Sequence, residues 1–367
     1  MRRGIEAVEQ NTLIAPTEHE ETNRPRPASP PPPISPSGHL ARKGEIGAVE
    51  LTASERDQVA RILDELAAEF SDAEDPELPR RIGSWGHLLP AALREPLLEL
   101  RYGETLAGLV VKGGPVSADP GPTPRHWREY DRSRTAQHDW WLLLLVAQLG
   151  DVVCWSTLQN GRLIADVLPV AGHEEAQTGH GSRAELQFHV EDAFDDDRCD
   201  AFALACLRNP DAVPTTVAST ACLDLNALDV EILAEPRFRI APDPEHLRGL
   251  PHGEHIQPRA RAVLTEAAVD ARLRVDPAFT APAAGDKRAA TAFEGLCEQL
   301  RAGTVDLVLG AGDVLLLDNH RTVHGRRSFR PRYDGTDRWL RKASVIRDLR
   351  RTRSRRVSAD SRILLPR

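Results

Sequence analysis

The sequence predicts a mainly β fold, a sandwich or jelly roll of short strands flanked by helices. Three observations predict it. From residue 152 onward, short β-type runs recur between clusters of Gly, Pro and Asp. A few segments with helical periodicity lie before and between those runs. The 367 residues are 41% hydrophobic and 28% charged, enough apolar material for one large core.

Taken in order, residues 1–45 read as a tail. Proline crowds 23–38, favouring an extended chain that cannot build a core. Folding is expected to begin near Val49. Thr52 and Glu55 fit a capping box for a helix with Val59, Ile62, Leu63, Leu66 and Phe70 on one face. A second helix is expected around 88–100, a strand at 106–111 and a buried helix at 136–149. Strands follow at 152–157, 162–170, 185–190, 201–207, 215–219, 237–240, 305–309, 314–317 and near 344–346. Helices are expected at 226–234 and 289–301. The stretch 242–259 is polar and reads as a long loop, a candidate lid. Residues 46–367 are thus expected to form a single domain.

A net charge of −8 argues against nucleic-acid and membrane-surface partners. The longest apolar run, 140–147, falls far short of the roughly 20 residues that span a bilayer. The first residues lack an apolar stretch of signal-peptide length. Five scattered cysteines form no CxxC pair, which suits reduced thiols and a cytoplasmic location. The C-terminal part is basic against this trend, and 350–356 reads as solvated surface.

The chemistry concentrates in LQFHVEDAF. His189 and Glu191 are two apart on an apparent strand, so both face one side. A third metal ligand must come from elsewhere. LLLDNHRTVHGRRSF offers His320 and His324, the latter in a His-Gly at a strand end. Two imidazoles and one carboxylate form the facial triad of non-haem Fe(II) oxygenases, which leaves coordination positions open. Arg338 follows and can grip a carboxylate through two parallel hydrogen bonds.

Three stretches carry a resemblance: LQFHVEDAF, LRNPDAVPTTVAS and DNHRTVHGRRSFRPRYDGTDRWLRKASVIRDL. Together they resemble the clavaminate-synthase-like family of Fe(II)/2-oxoglutarate-dependent oxygenases. Within it they are most similar to the free-amino-acid hydroxylases of peptide-antibiotic pathways, the arginine type above all. The resemblance spans roughly residues 50–365. It implies a double-stranded β-helix core, cupin-like, and Fe(II), 2-oxoglutarate and O2 as cofactor and co-substrates. It implies His189, Glu191 and His324 as iron ligands, with His320 outside the set. Arg338 and Thr216 would hold the distal carboxylate of 2-oxoglutarate. Asp192, Phe194, Asp318 and Asn319 would support the motif.

For the substrate, the resemblance implies a free L-amino acid hydroxylated at C3 or C4 in nonribosomal-peptide antibiotic biosynthesis. Glu191 would also touch the α-amino group. Lys342 stands where the arginine hydroxylases carry an Arg for the α-carboxylate. Asp243 matches an acidic lid position. Those enzymes clamp the guanidinium with an Asp-Gly-Asp run, and here the run is Asp276, Pro277, Ala278. Leu158 replaces a glutamine. Loss of a carboxylate favours the neutral ureido end of citrulline, with arginine and lysine as alternatives. A desaturase of the same family and a non-catalytic jelly-roll binding protein are the competing readings.

Overall fold

The computed structural model describes residues 44–117, 119–129 and 132–366; the proline-rich tail falls almost wholly outside them. In chain order the elements begin with β1 (Glu45–Glu50), α1 (Ala53–Glu69), α2 (Leu78–Arg81), α3 (Ala91–Tyr102), β2 (Leu106–Lys112) and α4 (Ala136–Val146). Next come β3 (Asp151–Trp155), β4 (Ala165–Val167), β5 (Leu186–His189), β6 (Ala201–Arg208) and β7 (Thr215–Ser219). Then follow α5 (Val230–Leu233), β8 (Phe238–Ile240), α6 (Pro244–Arg248), β9 (Arg259–Arg261), β10 (Leu264–Thr265), β11 (Arg272–Leu273) and β12 (Thr280–Pro282). The chain closes with α7 (Lys287–Ala302), β13 (Val305–Leu307), β14 (Val314–Asp318), β15 (Thr322–Arg326), β16 (Trp339–Ile346) and β17 (Ile363–Leu364).

The larger sheet runs β1-β2-β14-β6-β16-β3-β17, with β4 paired to β16. A smaller sheet runs β13-β7-β15-β5. The two-residue period of each strand sorts side chains between two cores. On β6, Ala201, Ala203 and Ala205 face the helices, while Phe202, Leu204 and Cys206 face the smaller sheet. On β14, Val314 and Leu316 take the helical side, and Leu315 and Leu317 the other. Val217 of β7 and Leu309 complete the layer between the sheets. This is the expected jelly roll.

The small alanine face of β6 admits α4, which is buried from His138 to Val146. A helix buried all round needs no amphipathic pattern. Its Asp139 is paired: Arg341 on the helix side of β16 donates Nε to Asp139 Oδ1 at 2.8 Å and also pairs with Asp166. Trp339 Nε1 donates to Asp166 Oδ1 at 2.8 Å. Buried charges survive only in such satisfied sets. At α1 the capping box is present, with Thr52 N donating to Glu55 Oε2 at 2.8 Å.

Several boundaries differ from expectation. Folding starts earlier, at β1, which pairs in parallel with β2. The expected strand 162–170 shrinks to β4. The expected helix 226–234 breaks into a 3-10 turn and α5, because Asp229 recaps the chain by accepting from Ile232 N at 3.4 Å. The strand near 344–346 extends back to Trp339. The region 242–259 is not all loop, since it contains α6. The basic cluster 350–356 is not all solvated surface either. Arg355 pairs with Asp195 at 3.1 Å and Asp197 at 3.3 Å, and Arg356 donates to the carbonyls of Leu349 and Ser361. The cysteines are unpaired, and no helix among the described residues is long and apolar enough to cross a membrane.

Candidate active site

Strand β5 ends at His189, and β15 sets His324 directly opposite. Their rings lie 4.4 Å apart between centroids. Glu191 comes two residues later, and its Oε1 sits 3.7 Å from His189 Nε2 and 3.2 Å from His324 Nε2. One ligand atom from each residue lies within 4.8 Å of the others, a set able to hold one metal ion. The carbonyl of Gln187 lies 2.9 Å from His189 Nδ1 and can only accept, so Nδ1 carries a proton and Nε2 faces the cluster. His324 packs on Phe202, with ring centroids 4.1 Å apart. Asn319 fixes the Glu191 main chain on both sides, accepting from its N–H at 2.8 Å and donating to its carbonyl at 3.0 Å. His320 is turned elsewhere: its ring nitrogens meet Arg198 Nη2 at 3.0 Å and Asp200 Oδ1 at 2.9 Å.

Charge is divided unevenly across this set. Burial opposes charging His189, yet the Glu191 and Asp276 carboxylates prevail and raise it to about 9. Burial and the neighbouring His189 push His324 down to about 4. Despite burial, Lys342 and the two histidines hold Glu191 well below the usual carboxylate range. In the metal-free protein His189 is thus charged beside an ionised Glu191; a divalent iron ion would release the Nε2 proton of His189, and two imidazoles with one carboxylate suit such an ion.

The same cavity holds Arg338, 5% exposed. Its Nη2 donates to Thr215 Oγ1 at 3.0 Å, and its Nε has no partner. Burial lowers its pKa to about 10, and among the described residues no carboxylate pairs with it. A buried cation without a counter-ion is costly, so the position calls for an anionic ligand. The adjacent hydroxyl belongs to Thr215, not to Thr216 as expected. Strand parity decides this: Thr215 and Val217 face between the sheets, while Thr216 and Ala218 face the other core.

The remaining candidates line the cavity: Leu158, Asp243, Asp276, Ala278 and Lys342. Arg338 lies just before β16, and Lys342 shares the parity of Leu340 on that strand. Its Nζ donates to Glu191 Oε2 at 2.7 Å, an ion pair that the expected role did not foresee. Asp243 caps α6, with Oδ1 accepting from Glu245 N at 2.7 Å and His246 N at 3.0 Å. Burial and the nearby Asp243 push Asp276 up to about 6.

Residues 153–344 match the model of the taurine catabolism dioxygenase TauD, TfdA family. The chain belongs to the TauD/TfdA dioxygenase family. It is 39% identical over 339 residues to the L-ornithine/L-arginine 3-hydroxylase of Catenulispora acidiphila, covering 86% of this chain and 98% of that one. It is 36% identical over 327 residues to the enduracididine β-hydroxylase of Streptomyces hygroscopicus, covering 83% and 95%. The non-heme iron oxygenase OrfP, crystallised with Fe, succinate and (3S)-hydroxy-L-Arg, superposes with a TM-score of 0.80 at 37% identity, over 86% of this chain and 99% of that one. The family and fold expected from the motif strings agree with these matches.

Among the cavity residues of this dioxygenase that sequence reasoning missed are Thr215 and Glu245. Thr215 needed only the parity of β7. Glu245 lies within a polar stretch that gave no periodic signal, yet it lines the cavity with one carboxylate oxygen buried and without a hydrogen-bond partner.

Proposed function

We propose that the protein hydroxylates a free L-amino acid of the arginine and ornithine type, using Fe(II), 2-oxoglutarate and O2. One observation carries this reading: the His189, Glu191 and His324 donors share a cavity with the uncompensated Arg338. His189, Glu191 and His324 would hold the iron. Iron bound there couples oxidative decarboxylation of 2-oxoglutarate, giving succinate and CO2, to oxidation of a substrate C–H bond. Arg338 would pair with the distal carboxylate of 2-oxoglutarate, and the Thr215 hydroxyl, which only accepts from Arg338, is free to donate to the same group.

The Lys342–Glu191 pair suggests how a zwitterion is received. An amino acid presents one ammonium and one carboxylate, and it can insert by exchanging ion pairs. Lys342 turns to the α-carboxylate and Glu191 Oε2 to the α-amino group. Such an exchange leaves no buried charge unpaired.

At the side-chain end, Asp276, Asp243 and Glu245 give the cavity a negative lining. That favours the cationic ends of arginine and ornithine, and the 3-hydroxylase relative points to C3. Citrulline is the second reading, because Ala278 leaves Asp276 as the one carboxylate of its run. The enduracididine relative supports a role in peptide-antibiotic biosynthesis. Five unpaired cysteines suit the reducing cytoplasm. The test is anaerobic Fe(II) loading, then an amino-acid panel with 2-oxoglutarate and O2, scored for succinate and for product mass. A gain of one oxygen with arginine, ornithine or citrulline is expected. A loss of two hydrogens identifies a desaturase. No substrate-linked succinate from any amino acid overturns the proposal.

A further inference from the structure

The lid carries more than its two cavity carboxylates. His246 follows Glu245 on α6 and is only 1% exposed. Its ring packs against Phe194 at 4.8 Å and Trp155 at 5.6 Å between centroids. Its Nε2 lies 3.0 Å from Asp192 Oδ1, and its Nδ1 lies 2.7 Å from Thr157 Oγ1. The other oxygen of Asp192 accepts from Trp155 Nε1 at 2.7 Å.

Asp192 immediately follows Glu191. Its φ is 53°, in the left-handed region that non-glycine residues seldom occupy. Such a conformation persists where the surroundings over-determine it, and here both carboxylate oxygens are engaged. Glu191 is therefore gripped from two directions. Asn319, in the turn between β14 and β15, fixes its main chain. On the far side its neighbour Asp192 is tied to the lid. The lid is itself seated, because a Cβ on Gly249 would come within 1.9 Å of the Thr157 carbonyl oxygen.

We propose that the Asp192–His246 contact couples the lid helix to Glu191, so that His246 is a positioning residue for the reaction. It acts through Asp192 and touches neither substrate nor metal. The proposed amino-acid site supplies its purpose, since Asp243 and Glu245 share the helix that His246 anchors. The coupling itself does not depend on which amino acid binds.

Two measurements test it, on His246→Ala, His246→Gln and Asp192→Asn. The first is hydrogen exchange of the metal-free, substrate-free protein. His246→Ala is expected to speed exchange about tenfold or more both at 243–249 and at 189–194, with the glutamine variant, whose amide can still donate to Asp192, largely restoring protection. The second is turnover. The alanine variant is expected to raise the amino-acid KM about tenfold and to form more than one succinate per hydroxylated product, with the 2-oxoglutarate KM changed less than about twofold. Exchange confined to 243–249 with an unchanged succinate ratio overturns the proposal. So does a uniform loss of stability that glutamine does not repair. If the alanine variant does not fold, Asp192→Asn is read the same way, and an unchanged succinate ratio there also overturns it. Failure to find any amino-acid substrate would sink the proposed function alone, because the exchange result stands without one.

Discussion

Arg338 donates to Thr215 and, among the described residues, to no carboxylate, although it is almost wholly buried. Replacing it by methionine keeps the volume and removes the charge. The KM for 2-oxoglutarate should rise roughly ten- to hundredfold, the worth of a hydrogen bond to a charged group, while the amino-acid KM moves far less. Steady-state kinetics with each substrate varied in turn checks this. Ala278 bears on the other end. Ala278→Asp should raise turnover of arginine relative to citrulline, and an equal or lower ratio would remove this run from the distal pocket. The clustering of His189 with Glu191 was legible because His-x-Glu on a strand is a local pattern, whereas His324, 135 residues on, was singled out over His320 only through the family resemblance. The Lys342–Glu191 pair was not legible, because it joins residues from facing sheets that no local spacing connects.

At the scale of elements, β15 depends on a missing side chain. A Cβ on Gly325 would lie 2.4 Å from the Leu186 carbonyl oxygen and 2.9 Å from Thr216 Oγ1. Gly325→Ala should wedge β15 from β5 and separate His324 from His189. Iron binding by the purified protein should weaken about tenfold or more, with the fold retained in circular dichroism. Helix α4 carries a pH signature. Burial pushes His138 down to about 4 from the usual 6.5, so the folded chain keeps it neutral where the unfolded chain takes up a proton. Stability should therefore fall as pH drops from about 6.5 towards 4. His138→Phe should lose less, read from urea midpoints at pH 7 and pH 5. Long periodic elements such as α1 and α7 were legible within a residue or two. Helix α6 was not. Five residues starting on Pro244 show no amphipathic period, and Asp243 reads equally well as a turn residue.

The whole molecule is closed by its last segment. Leu364 is 1% exposed against Val153 and Trp155, and Arg355 ties the same region to Asp195 and Asp197 beyond the metal motif. Removing residues 357–367 should lower the melting temperature by roughly 5 °C or more in a thermal scan. The jelly roll was legible from the count of short strands. The parallel edges β1 and β17 were not, since a parallel pair leaves no hairpin turn in the sequence.

The strand order of the larger sheet also sets a schedule for the nascent chain. Strands β14 and β16 lie on either side of β6, although they come from the last quarter of the sequence. The ribosome must therefore release β5 and β6 well before their partners exist. At typical synthesis rates, His189 waits on the order of ten seconds for His324 to emerge. During that interval β6 lacks both of its neighbours in the sheet, and the cluster of His189, Glu191 and His324 is incomplete.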